Sequence, residues 1–136
     1  MHAFIVRPFK TTDGVDFDRV DRELISPALD RLHITGRTTQ EIGRAGNIHA
    51  DIFQLLLTAD MVVADVSVHN ANVYYELGIR HALRKRGAIL LHAPIDDFPF
   101  DLATYRYVGY DPTNPGGSLD ELVKACLLYT SPSPRD

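Results

Sequence analysis

The 136-residue chain holds one cysteine, Cys126, no long apolar run and no strong excess of either charge. A lone cysteine admits no internal disulfide and no thiolate zinc site. Without an apolar run of about 18 residues, no membrane-spanning helix is expected. The N-terminus enters an apolar stretch at Ala3 with none of the regions of a secretory signal, so the cytoplasm is the expected compartment. A net charge of -4 argues against nucleic acid as the main partner. The six histidines show no ligand spacing with a matching carboxylate, so neither a metal nor another cofactor is expected. Gly43 and Gly46 form neither a G-x-G-x-x-G nor a Walker pattern, and no internal repeat is visible.

What is present is an alternation of short apolar runs with helical periods, the pattern of a layered α/β domain. Strands are expected at Ala3 to Val6, His33 to Arg37, Met61 to Val66, Ala88 to His92 and Tyr105 to Tyr110. Met61 to Val66 is apolar almost throughout, as a strand covered on both faces should be. A first helix is expected from about Asp16 to Leu32, with Phe17, Val20, Leu24, Ala28 and Leu32 on one face and Pro27 kinking or splitting it. Asn47 is the expected cap of a helix over Ile48 to Thr58, and Asn72 of one running to about Lys85, where Gly87 ends it. The basic end of that helix (Arg80, Arg84, Lys85, Arg86) suits a helix C-terminus. Ser118 is expected to cap a last helix. Right-handed crossovers then predict one three-layer domain, flavodoxin-like or Rossmann-like, with a five-stranded parallel sheet in the order 2-1-3-4-5.

The tail from Cys126 to Asp136, CLLYTSPSPRD, reads differently. Back-translated with suitable codons, it matches a transposase adapter used in sequencing libraries. Residues 1–125 are therefore expected to be a truncated natural domain, and 126–136 to be non-native. On that expectation the natural chain continues past Ala125, and its last helix is cut at the junction.

The chemistry gathers at one place. In such a sheet the strand exits and the starts of the following helices share one edge, where ligands bind. Arg7, Pro8 and Phe9 follow the first strand, and Asp65 and Ser67 the third. The turn then carries Asn70 and Asn72. Asp51 and Glu76 are each expected in the first turn of a helix starting at that edge, where free N–H groups favour the carboxylate anion. An ionised carboxylate can attack a sugar anomeric carbon, and a second can orient the substrate or exchange a proton. The same positions equally fit ordinary capping and first-turn residues. Arg44 lies in a glycine-containing loop before the Ile48 helix, where it can meet a phosphate or simply be solvated. Gly78 fits close packing of its helix on the sheet. Tyr74 and Tyr75 fit core or rim positions, or a ring stacked on a base.

The run from Asp60 through Ser67 to Asn72 and on to Glu76-Leu77-Gly78, with Ala82 beyond, resembles the nucleoside 2-deoxyribosyltransferase-like superfamily, a flavodoxin-like relative of TIR domains. The strings RPF, GRTT, AGNI and HNANVYYELGIRHAL resemble, more narrowly, the N-terminal domain of bacterial tetratricopeptide-repeat proteins related to the TRAF-binding region of apoptosis-signal-regulating kinases. The first resemblance implies that Glu76 is the nucleophile, that Asp51 belongs to the active site, and that the Pro8-Phe9 loop closes over the substrate. Asn70 stands where the transferases have an acidic residue. The second implies a signalling domain followed by helical repeats. Two functions therefore stand side by side. One is a nucleotide-binding or regulatory domain with a protein partner or C-terminal repeats. The other is an N-glycosidase or glycosyltransferase acting on a nucleoside or an NAD-like molecule. Either is compatible with an oligomer.

Overall fold

A computed structural model describes residues 1–38, 48–83, 87–94 and 106–130. For 48–51 and 130 it describes the backbone alone. Strand β1 is His2–Val6, and after Arg7-Pro8-Phe9 a small hairpin follows, β2 (Thr11–Thr12) and β3 (Val15–Asp16). Its two-residue turn is Asp13-Gly14, with φ of 50° and 81°. Both central residues need positive φ in such a turn, and Asp-Gly supplies it at least cost.

The first helical segment is divided, as Pro27 requires. Helix α1 is Phe17–Val20, a π-type turn spans Asp21–Ile25, and α2 is Ser26–Arg31. Pro27 has no N–H for the Glu23 carbonyl, and its ring crowds that carbonyl. The wider turn lets the Ser26 N–H donate to the Asp21 carbonyl, five residues back. His33, at φ 57°, takes the chain out of α2, and strand β4 is Thr35–Thr38 rather than the expected His33 to Arg37.

Helix α3 (Ile48–Thr58) and strand β5 (Met61–Asp65) follow, then helix α4 (Ala71–Leu83), strand β6 (Ala88–His92) and strand β7 (Arg106–Gly109). A 3-10 turn, Pro115–Ser118, leads into helix α5, Leu119–Thr130. The glycine-containing loop expected around Arg44, Asn47 as a cap, the basic Arg84, Lys85 and Arg86, and Tyr105 of the last expected strand lie outside the described residues. The sheet runs β4-β1-β5-β6-β7, all parallel. Counting only its five strands in chain order, this is the expected 2-1-3-4-5.

Alternate residues of each strand face opposite layers. On one side Ala3, Ile5, Met61, Val63, Ile89 and Leu91 meet Phe17, Val20, Leu24 and Ala28 of the first helical segment and Leu122 and Cys126 of α5. On the other, Phe4, Val6, Val62, Ala64 and Leu90 meet Leu56 of α3 and Val73 and Leu77 of α4. The last helix does not stop at Ala125: its register carries Cys126 into the core at 0% exposure, and burial pushes that thiol's pKa up to about 11. Tyr129 donates to the Ala88 carbonyl at 3.3 Å, and Arg106 lies over its ring. Ser118 contributes differently from the cap expected of it. Its hydroxyl donates to the Gly109 carbonyl at 2.9 Å.

Candidate functional site at the carboxyl edge

Because β1, β5, β6 and β7 are parallel, they all end on one edge. Helix α4 leaves β5 from that edge through Val66 to Asn70. Its cap is Asn70, not Asn72: Asn70 Oδ1 accepts the Val73 N–H at 3.1 Å, and the Asn70 carbonyl accepts that of Tyr74. The helix therefore begins at Ala71, Asn72 is exposed in its first turn, and Glu76 is its sixth residue. Glu76 thus lies in the second turn rather than the first, where the pull of free N–H groups on a carboxylate has fallen away. It is half-buried, one position before the buried Leu77. Asp51 is the fourth residue of α3, which also starts at this edge; its side chain lies outside the described part, as does Arg44.

The strand exits are more tightly engaged than their polarity suggests. Arg7 donates to Asp21 at 3.1 Å and to Asp18 at 3.3 Å, and its guanidinium stands over the Phe9 ring. Asp21 also accepts the Ser26 hydroxyl at 2.6 Å. The π-type turn thus presents Asp21 to Arg7 and fixes the chain's first exit. Pro8 is buried beside it, while Phe9 is on the surface.

Asp65 and Ser67 are buried too, at 1% and 6% exposure. Asp65 Oδ1 accepts the Ser67 N–H at 2.9 Å and the Ser67 hydroxyl at 2.6 Å. Its Oδ2 accepts the Tyr110 hydroxyl at 2.6 Å. Ser67 Oγ in turn accepts the Ala93 N–H at 2.7 Å and lies 3.0 Å from the Tyr110 oxygen. Burial raises the Asp65 pKa above the ordinary aspartate range, against the opposing pull of the Ser67 and Tyr110 hydrogen bonds. Burial and the adjacent Asp65 charge raise the Tyr110 pKa, so its phenol stays a donor. Tyr110 escaped the sequence reading. Its signal is a tyrosine directly after a strand, because a buried phenol needs a partner.

Other expectations change as well. Arg80 is not a solvated helix-end cation: it is 1% exposed and donates to the Leu56 and Ala59 carbonyls, at 2.9 and 2.7 Å, at the end of α3. Gly78 does not pack on the sheet. It is exposed, and a Cβ there would meet nothing within 4 Å. Tyr74 is half-buried with its hydroxyl 3.2 Å from His69 Nδ1, and Tyr75 is 63% exposed. No described helix is long and apolar enough to cross a membrane. Among the described residues no group of His, Cys, Asp and Glu is gathered as a metal site would need.

A 2-deoxyribosyltransferase from Bacillus psychrosaccharolyticus superposes on this architecture with a TM-score of 0.63 at 12% identity, over 85% of this chain and 90% of that one. The chain has a deoxyribosyltransferase-like fold. No family model and no curated protein matches it in sequence. The likeness is one of fold: a five-stranded parallel sheet flanked by helices.

Proposed function

We propose that this domain binds a nucleoside or nucleotide at the carboxyl edge and that Glu76 acts on its N-glycosidic bond. The observation that carries the reading is the placement of Glu76 on the helix that leaves the central strand β5 at that edge, within a deoxyribosyltransferase-like fold. In the proposed reaction a Glu76 carboxylate oxygen bonds to the anomeric carbon as the bond from that carbon to the base nitrogen breaks. The base leaves with a proton, for which Asp51 is the proposed donor. Water or a second base then takes the sugar and frees Glu76. Asn72 and the backbone of the turn are the proposed contacts to sugar hydroxyls. Arg44 is the proposed partner of a phosphate, and Pro8-Phe9 the proposed wall.

The test is to incubate the chain with NAD and a panel of nucleosides and deoxynucleotides, following free base by chromatography, with Glu76→Gln alongside. Base release that drops at least about 100-fold in the variant, without loss of fold, is the expected outcome. No release from the folded chain would sink the transferase reading.

A second reading is a regulatory domain that binds the same class of ligand without turnover, joined to helical repeats or a protein partner. It is favoured by the engagement of Arg7, Asp65 and Ser67 in internal contacts, and by Glu76 lying in the second helical turn. Calorimetric titration with the same ligands, showing binding to wild type and to Glu76→Gln alike and no base release, would support it.

A further inference from the structure

Three neighbouring strands end side by side, and one closed set of hydrogen bonds joins the residues just beyond them. It links Asp65 at the end of β5, Ser67 in the following turn, Ala93 after β6 and Tyr110 after β7. All four residues are buried. Apolar side chains would join the same strand ends with no directional demand. A carboxylate accepting three donors instead sets the path of one short segment. That segment is the turn from Val66 to Asn70. Val66 is held by its N–H on the Leu91 carbonyl, Ser67 by Asp65, and Val68 by burial. Asn70 follows at once and caps the helix that carries Glu76.

We infer that Asp65, Ser67 and Tyr110 are positioning residues, which hold the β5–α4 turn so that its Asn70 cap sets where Glu76 stands. This role differs from the ligand contact expected of Asp65 and Ser67, and it rests on their burial and their bonds to one another. The consequence for turnover rests on the function proposed above; the consequence for the turn does not.

Two mild variants of the 136-residue chain test it, Tyr110→Phe and Ser67→Ala. The first readout is amide hydrogen exchange at Val73, whose N–H depends on the Asn70 cap, against Val62 and Val63 inside β5. Loss of one hydrogen bond to a buried carboxylate is expected to speed exchange at Val73 roughly tenfold, with Val62 and Val63 unchanged. Ser67 should behave as Val73 in Tyr110→Phe. Unchanged exchange at Val73, or an equal rise throughout β5, would overturn the inference.

The second readout is base release. A positioning role lowers kcat while KM stays within about twofold, because ground-state binding is untouched. Raised exchange at Val73 with unchanged kcat would break the proposed link to Glu76. If the wild-type chain releases no base, the enzyme reading fails by itself, and the exchange experiment still decides the role of these three residues.

Discussion

At the scale of single residues, Asp65 makes the sharpest demand on the fold. Its folded pKa is raised by burial above the value of about 3.9 of an exposed aspartate. The folded state therefore holds this proton more tightly than the unfolded chain. The corresponding stability is fully present below the unfolded pKa and is lost as pH rises through the folded one. Asp65→Asn removes that titration while keeping an acceptor for Ser67, and Tyr110 can accept from the new amide. In urea unfolding between pH 4 and 8, wild-type stability should fall relative to Asp65→Asn as pH rises, then level off. A difference running the other way would mean that the three donors outweigh desolvation. Arg80 works in the opposite sense, as a buried cation that satisfies two carbonyls at the end of α3. Arg80→Met should destabilise the chain by about 3 kcal/mol, because both acceptors lose a charged donor within the core.

At the scale of elements, the clearest prediction concerns α4. Gly78 lies inside this helix on an exposed face with open space around it. Gly78→Ala should raise unfolding stability by about 0.5–1 kcal/mol, since glycine is a poor helix former and nothing obstructs the methyl group. A loss of stability would reveal that this face is covered in solution. The elements themselves were largely legible. Strand Ala88–His92 matches its expected bounds, helix Ile48–Thr58 does too, and Pro27 marks the division of the first helical segment. Those signals are local: apolar runs, helical spacing and a missing N–H. The site was less legible because its contacts are long-range. Nothing near Asp65 in the chain announces Tyr110, 45 residues on. Nothing near Arg80 announces the carbonyls of Leu56 and Ala59. The start of α4 was misplaced because Asn70 and Asn72 are equally good caps in isolation, and tertiary anchoring of the turn chose the first.

At the scale of the whole molecule, the last helix closes one layer, and Cys126 fills the core beneath it. Whatever the origin of residues 126–136, ending the chain at Ala125 would strip the buried Cys126 and the Tyr129 contact from that layer. A chain ended there should unfold at lower denaturant, by about 2 kcal/mol or more, as for removal of a buried side chain and the final helical turn. The position of β1 in the sheet has a further consequence. It precedes the other four sheet strands in this sequence, yet its neighbours are Thr35–Thr38 on one side and Met61 to Ala64 on the other. Phe4 and Val6 therefore stay unsheltered on that side until Val62 and Ala64, far along the chain, have come back to pair with them. Until then its partner among the described strands is β4. A folding chain is thus most exposed to mispairing while β1 is flanked by β4 alone and its β5 side is still open.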